Sequence, residues 1–125
     1  MRDVDSGEAE EGERVTIRER IAAIQKEVGE DELLPLRASH ILLELTSLLG
    51  NVNDQIRVCD AAYAEVLLEC LRGDEAASRA KIRAETTPQY RQRQEARDTS
   101  ELVIELIRSL KIFIRQQQEE MRLAR

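Results

Sequence analysis

The strongest structural signal in this sequence is a run of apolar residues spaced alternately four and three positions apart. The run comprises Ala38, Leu42, Leu45, Leu49, Val52, Ile56, Cys59, Tyr63, Val66 and Cys70. Such spacing places its members on one side of an α-helix and is typical of a coiled-coil seam. It predicts a long helix over about residues 36–72 that packs against other helices.

A short helix is predicted before the long one. Thr16 and Glu19 form a capping box, and apolar residues then recur at helical spacing up to Gly29, a suitable helix stop. The predicted helix covers about residues 17–28. Pro35 then suits the first turn of the long helix.

A third helix is predicted after a chain reversal at Gly73 and Asp74, which serve as helix stop and as the next N-cap. This helix covers about residues 75–123. Pro88 lies inside it, and the sequence leaves open whether Pro88 kinks one helix or separates two.

Together these elements predict an all-α, coiled-coil-like fold. A long antiparallel hairpin of helices 36–72 and 75–123 is joined by the helix over 17–28 to form a three-helix core at one end. The composition agrees, because 42% of residues are apolar and only 2% are aromatic. We expect residues 14–125 to form a single helical domain, since 125 residues suffice for one core. Residues 1–13 contain six acidic residues and are expected to be a flexible tail.

The position of the chain reversal predicts how the two long helices pack and which residues form a candidate partner interface. A reversal at Gly73 places Ala80 near Val66 and Ala84 near Tyr63, so that small side chains meet larger ones. Alanines cannot fully cover such a helix, and uncovered apolar stripes usually mark a partner site. The candidate partner interface comprises Tyr63, Leu67, Leu68 and Leu71.

The sequence contains no recognisable catalytic, cofactor or metal constellation. His40 is the single histidine and has no identifiable nucleophile or orienting acid beside it. Cys59 and Cys70 lie too far apart along one helix for a disulfide within it, and no CxxC pair is present. The five glycines form no phosphate-binding loop. We therefore predict that the protein is not an enzyme and uses no cofactor and no metal.

Basic residues cluster in the first half of the third helix, although the formal net charge is −6. The cluster comprises Arg79, Lys81, Arg83, Arg91, Arg93 and Arg97. Arginines at this density bind phosphates or an acidic partner, or they pair with acidic residues of the neighbouring helix such as Asp54, Asp60 and Glu65. The sequence favours the second alternative, because Tyr90 is the single aromatic residue nearby for stacking on a base.

The C-terminal stretch QYRQRQEARDTSELVIELIRSLKIFIRQQQEEMR, residues 89–122, combines a charged run with an Arg-Ser-Leu-Lys core and a Gln/Glu-rich end. In this composition and order of segments it resembles the small helical accessory proteins of tailed phages. The resemblance implies a viral or mobile-element origin and a location in the host cytoplasm. It transfers no functional residues.

These observations predict a non-catalytic helical interaction protein, namely a self-associating adaptor, scaffold or protein-level regulator. Its expected partner is a second or further copy of itself, or another helical protein. The alternative is a nucleic-acid accessory protein that binds through the Arg79–Arg97 surface, which an acidic protein is poorly suited to do. No apolar run approaches the length of a membrane helix, so a cytoplasmic location without a membrane partner is expected.

Overall fold

The computed structural model describes residues 17–30 and 32–124, and the regular structure in these ranges is helical. Helix α1 covers residues 17–28, α2 covers Pro35–Leu71, α3 covers Ala77–Ala84, and α4 covers Pro88–Leu123. Helices α2 and α4 pack closely against each other. The predicted all-α helical hairpin is confirmed. The acidic segment 1–13 lies outside the described residues.

The predicted third helix is divided in two at Pro88, which decides the alternative left open by the sequence. Helix α3 ends at Ala84, and residues 85–87 connect it to α4. The backbone N–H of Tyr90 donates a hydrogen bond of 3.4 Å to Oγ1 of Thr87, so Thr87 caps the new helix. Pro88 occupies the first helical position, where its missing N–H costs nothing.

The start of α3 was predicted two residues too early. Ala76, which has no side-chain cap, occupies the N-cap position in place of Asp74. Residues 72–76 are all used to reverse the chain, because packed helices lie about 8–10 Å apart and a Gly-Asp pair is too short to bridge that distance.

The seam predicted for α2 is confirmed by burial. Each of its ten residues is buried or half-buried, and Ala38 and Leu45 are completely inaccessible to solvent. By contrast, Leu43 points away from the seam and is 71% exposed. The alternation of four and three therefore identified the packed side of the helix correctly.

The chain forms two compact units. Of the described residues, the first comprises 17–30, 32–48 and 105–124, and the second comprises Leu49–Ile104. In the first unit three helices supply the buried residues Ile21, Ile24, Ala38, Ile41, Leu45, Leu106 and Leu110. This is the predicted three-helix core. The prediction of a single domain over residues 14–125 remains a prediction.

In the second unit, α3 and the start of α4 pack on the end of α2. The buried cluster consists of Tyr63, Cys70, Ala80 and Ala84, with Val66, Leu67 and Tyr90 packed against it. The small side chains of α3 thus lie against the larger ones of α2, as the position of the chain reversal predicted.

Candidate interaction surfaces

The solvent side of α2 in the second unit carries a second stripe with alternating spacings of four and three. We call it the outer face of α2. It consists of Asp54, Val58, Ala61, Glu65 and Leu68 together with Arg72, which directly follows the last residue of α2, and all six are exposed. Val58 is 68% exposed and Leu68 is 55% exposed. Leu71 borders the stripe and is 44% exposed.

The outer face is exposed because α3 and α4 pack against the seam on the other side of α2. Successive residues of a helix are rotated by about 100°, so side chains that lie opposite the seam cannot reach α3 or α4. Burying a leucine or valine side chain contributes about 1.5–3 kcal/mol relative to exposure. That contribution is not realised for Val58 and Leu68 in the isolated chain.

Of the four residues predicted as a partner interface, Leu68 and Leu71 are exposed and the other two are not. Leu67 is half-buried and packs against the core cluster of the second unit. Tyr63 is only 8% exposed, so the expectation that it remains uncovered is wrong. This corrects the predicted set, in which Leu68 and Leu71 remain available to a partner.

Tyr63 is covered by two side chains of α4. Its ring centroid lies 5.4 Å from that of Tyr90, at an interplanar angle of 56°. The guanidinium carbon of Arg93 lies 4.9 Å from the centroid of the Tyr63 ring, within the range of a cation–π contact. Burial raises the pKa of the Tyr63 hydroxyl, and the nearby charge of Glu85 raises it further.

Half of the basic cluster is paired with carboxylates. Nε of Arg93 donates to Oδ1 of Asp60 at 2.9 Å, and Nη2 of Arg97 donates to the same oxygen at 3.2 Å. Nη1 of Arg83 donates to Oε1 of Glu75 at 2.8 Å. For Arg93 and Arg97 the structure therefore selects the pairing with Asp60 that the sequence favoured.

The other half of the basic cluster remains available. Within residues 17–30 and 32–124, no carboxylate lies at ion-pair distance from Arg79, Lys81 or Arg91. Arg79 and Lys81 flank Ile82, which is 63% exposed on α3. The Arg79–Arg97 surface predicted from the sequence is thereby reduced to three cations on α3 and the first turn of α4.

The pairing of Arg93 depends on a register that the sequence did not reveal. If Ala84 lies opposite Tyr63 and the antiparallel register continues unchanged, Arg93 lies level with residue 54 of α2. In the structure Arg93 instead bonds Asp60, six residues further along α2, because residues 85–87 interrupt the helix. The sequence signal for this arrangement is slight: Tyr90 and Arg93 are three apart and hence share one side of α4.

The described residues contain no group of three or more His, Cys, Asp and Glu side chains that could hold a metal ion. His40 is exposed on α2, Cys59 is half-buried, and Cys70 is a buried free thiol. In the same part of the chain no helix combines the length and apolar character needed to span a bilayer. The absence of enzymatic activity, cofactor and metal remains a prediction.

Comparison of the chain with protein-family models, curated proteins and solved structures found no match. Function is therefore inferred from the surfaces described above.

Proposed function

We propose that this protein is a non-catalytic helical interaction protein that self-associates through the outer face of α2 and acts as an adaptor, scaffold or protein-level regulator. The observation that carries the proposal is the exposure of Val58, Leu68 and Leu71, by 68%, 55% and 44%, on a helix whose other side is packed. Apolar side chains aligned on one exposed helix face are typical of partner sites. A second copy is a partner that is always present, and symmetric dimers are the commonest assemblies.

The proposal is tested by measuring the solution mass with light scattering after size-exclusion chromatography, at low and high salt. The chain has a mass of 14.3 kDa, so a dimer is readily distinguished. We expect a mass of two or more chains at both salt concentrations, because apolar contacts are not screened by ions. A monomeric wild-type protein at every concentration tested overturns the proposal.

Two matched variants locate the association surface. Leu68→Glu introduces a charge on the outer face and is expected to shift the protein to monomer. Ile82→Glu places the same glutamate at a similarly exposed apolar site on α3, outside the outer face, and should leave the mass unchanged. Circular dichroism of both variants checks that the helices are intact. Equal effects of the two substitutions contradict a specific role for the outer face.

The second candidate function is a nucleic-acid accessory protein, and the specific observation in its favour is the availability of Arg79, Lys81 and Arg91. This function requires that the protein binds a DNA or RNA oligonucleotide and that the affinity falls steeply as the salt concentration rises. Arg79→Glu combined with Lys81→Glu should then abolish binding. Arg108→Glu, a charge reversal at an exposed arginine paired with Glu105, is the matched control. Binding that is insensitive to the first pair of changes rejects this candidate.

A further inference from the structure

The residues of the outer face of α2 lie at equal distances on either side of residue 63, and the face ends in an acidic residue on one side and a basic residue on the other. Asp54 and Arg72 each lie nine positions from residue 63, Val58 and Leu68 lie five positions away, and Ala61 and Glu65 lie two positions away. The outermost members therefore carry opposite charges at equal distances from the centre. Between them lie the apolar side chains of Val58, Ala61 and Leu68 together with the charged side chain of Glu65.

This layout distinguishes the two ways in which a second α2 can lie on the face. In a parallel symmetric pair each residue meets its own copy, so Asp54 faces Asp54 and Arg72 faces Arg72. Like charges placed opposite each other in a helix pair are unfavourable. In an antiparallel pair centred on residue 63, Asp54 instead lies level with Arg72 of the second copy.

We propose that two copies of the chain pair antiparallel through the outer faces of α2, with the two-fold axis near residue 63. The inference rests on the proposed function and adds the orientation and the register of the association. Val58 of each copy packs on Leu68 of the other, and these two apolar layers lie on either side of the two-fold axis. Asp54 and Arg72 close each end with an ion pair between copies.

Within their own chain, Asp54 and Arg72 each form only a weak ion pair, which dimerisation would replace. Nη1 of Arg57 lies 3.2 Å from Oδ1 of Asp54, and Nη1 of Arg72 lies 3.5 Å from Oε2 of Glu69. All four side chains are more than 70% exposed, and each pair joins positions three apart in the sequence. Ion pairs of this kind contribute little to stability. Re-pairing across a dimer interface therefore costs the monomer little.

The central layers fit the same register. Ala61 lies level with Glu65 of the second copy, so a small side chain faces a long one whose aliphatic stem can lie over it. The carboxylate of Glu65 then reaches solvent at the edge of the contact. Tyr63 itself points to the opposite side of α2 and is buried within its own chain.

The orientation is tested by charge reversal, with dissociation constants measured by sedimentation equilibrium. Asp54→Arg and Arg72→Asp each place like charges at both ends of an antiparallel dimer, and we expect each to weaken association by about tenfold or more. The double variant Asp54→Arg/Arg72→Asp restores opposite charges and should recover the wild-type dissociation constant. An equimolar mixture of the two single variants should also associate as tightly as the wild type.

Arg108→Asp is the control for a general effect of net charge, because Arg108 is an exposed arginine of a similar pair on α4. It should leave the dissociation constant unchanged. Single reversals without effect, in a wild-type protein that does associate, overturn the antiparallel register and leave the proposed function standing. A wild-type protein that stays monomeric overturns both. Circular dichroism spectra that match the wild type show that each variant is folded.

Discussion

The two compact units of this protein are stabilised by different kinds of side chain. Among the described residues of the first unit, four of the five inaccessible ones are large and aliphatic, namely Ile24, Ile41, Leu45 and Leu110, and the fifth is Ala38. In the second unit, Leu49–Ile104, no leucine or isoleucine is buried, and the buried residues are Val, Tyr, Cys, Ala and Ser.

This difference explains why apolar residues near the end of α2 remain exposed to solvent. Alanines allow α3 to approach α2 closely, but they bury little apolar area. The second unit compensates with the contacts among Tyr63, Tyr90 and Arg93 and with the ion pairs of Asp60. Its leucines are not drawn into a core, and Leu68 and Leu71 remain on the surface. Shortening a buried side chain should therefore be the damaging change in the first unit, and enlarging one should be the damaging change in the second.

The largest expected effect is that of shortening a core side chain in the first unit. Leu45→Ala should lower the free energy of unfolding by about 2–5 kcal/mol, because a fully buried leucine leaves a cavity. Leu43→Ala, two residues away and 71% exposed in the wild type, should change it by less than about 0.5 kcal/mol. Urea unfolding followed by circular dichroism measures both. Similar losses for the two variants are incompatible with a close-packed first unit.

Enlarging a side chain should be the sensitive change in the second unit. Ala80 is completely inaccessible between α3 and α2, and Ala80→Leu should destabilise the protein by about 1–3 kcal/mol through overpacking. Ala77→Leu makes the same change at an exposed position of α3 and serves as the control. The same urea titration applies. A neutral Ala80→Leu variant means that α3 is not held closely against α2.

The smallest expected effect concerns the ion pairs of the first unit. Nη2 of Arg20 lies 2.6 Å from Oε1 of Glu44, and Nε of Arg37 lies 2.6 Å from Oε2 of Glu27. The hydrogen bonds from these arginines lower the pKa of Glu44 and of Glu27 from the ordinary value of 4.5. A lowered pKa means that the unfolded state binds more protons, so this stabilisation is present above about pH 4.5 and is lost as the pH falls below it.

Glu44→Gln removes this contribution and should lower the free energy of unfolding at pH 7 by about 0.2–1 kcal/mol, because both side chains are partly exposed. The difference from the wild type should shrink as the pH falls below the pKa of Glu44 in the folded protein. Thermal unfolding between pH 3 and 7 measures it, with the exposed Glu101→Gln as control. A difference that grows on acidification contradicts the assigned ion pair.

The helices and the packed side of α2 could be predicted from the sequence because they depend on local spacing. The apolar seam, the helix over 17–28 and the packing of Ala80 and Ala84 followed from periodicity and from the position of the chain reversal. The candidate surface was predicted only in part. Leu68 and Leu71 are exposed as expected, whereas Tyr63 is covered by residues that follow the break before Pro88.

The sequence by itself determined which segments are helical and which side of each helix is apolar, since both depend on residues three and four positions apart. Only the tertiary structure decided that Arg93 and Arg97 pair with Asp60 while Arg79, Lys81 and Arg91 do not pair with any described carboxylate. For the pairing of Arg93 and Arg97 with Asp60, the physical reason is the connection over residues 85–87. It resets the register between α2 and α4, and contacts across helices depend on that register.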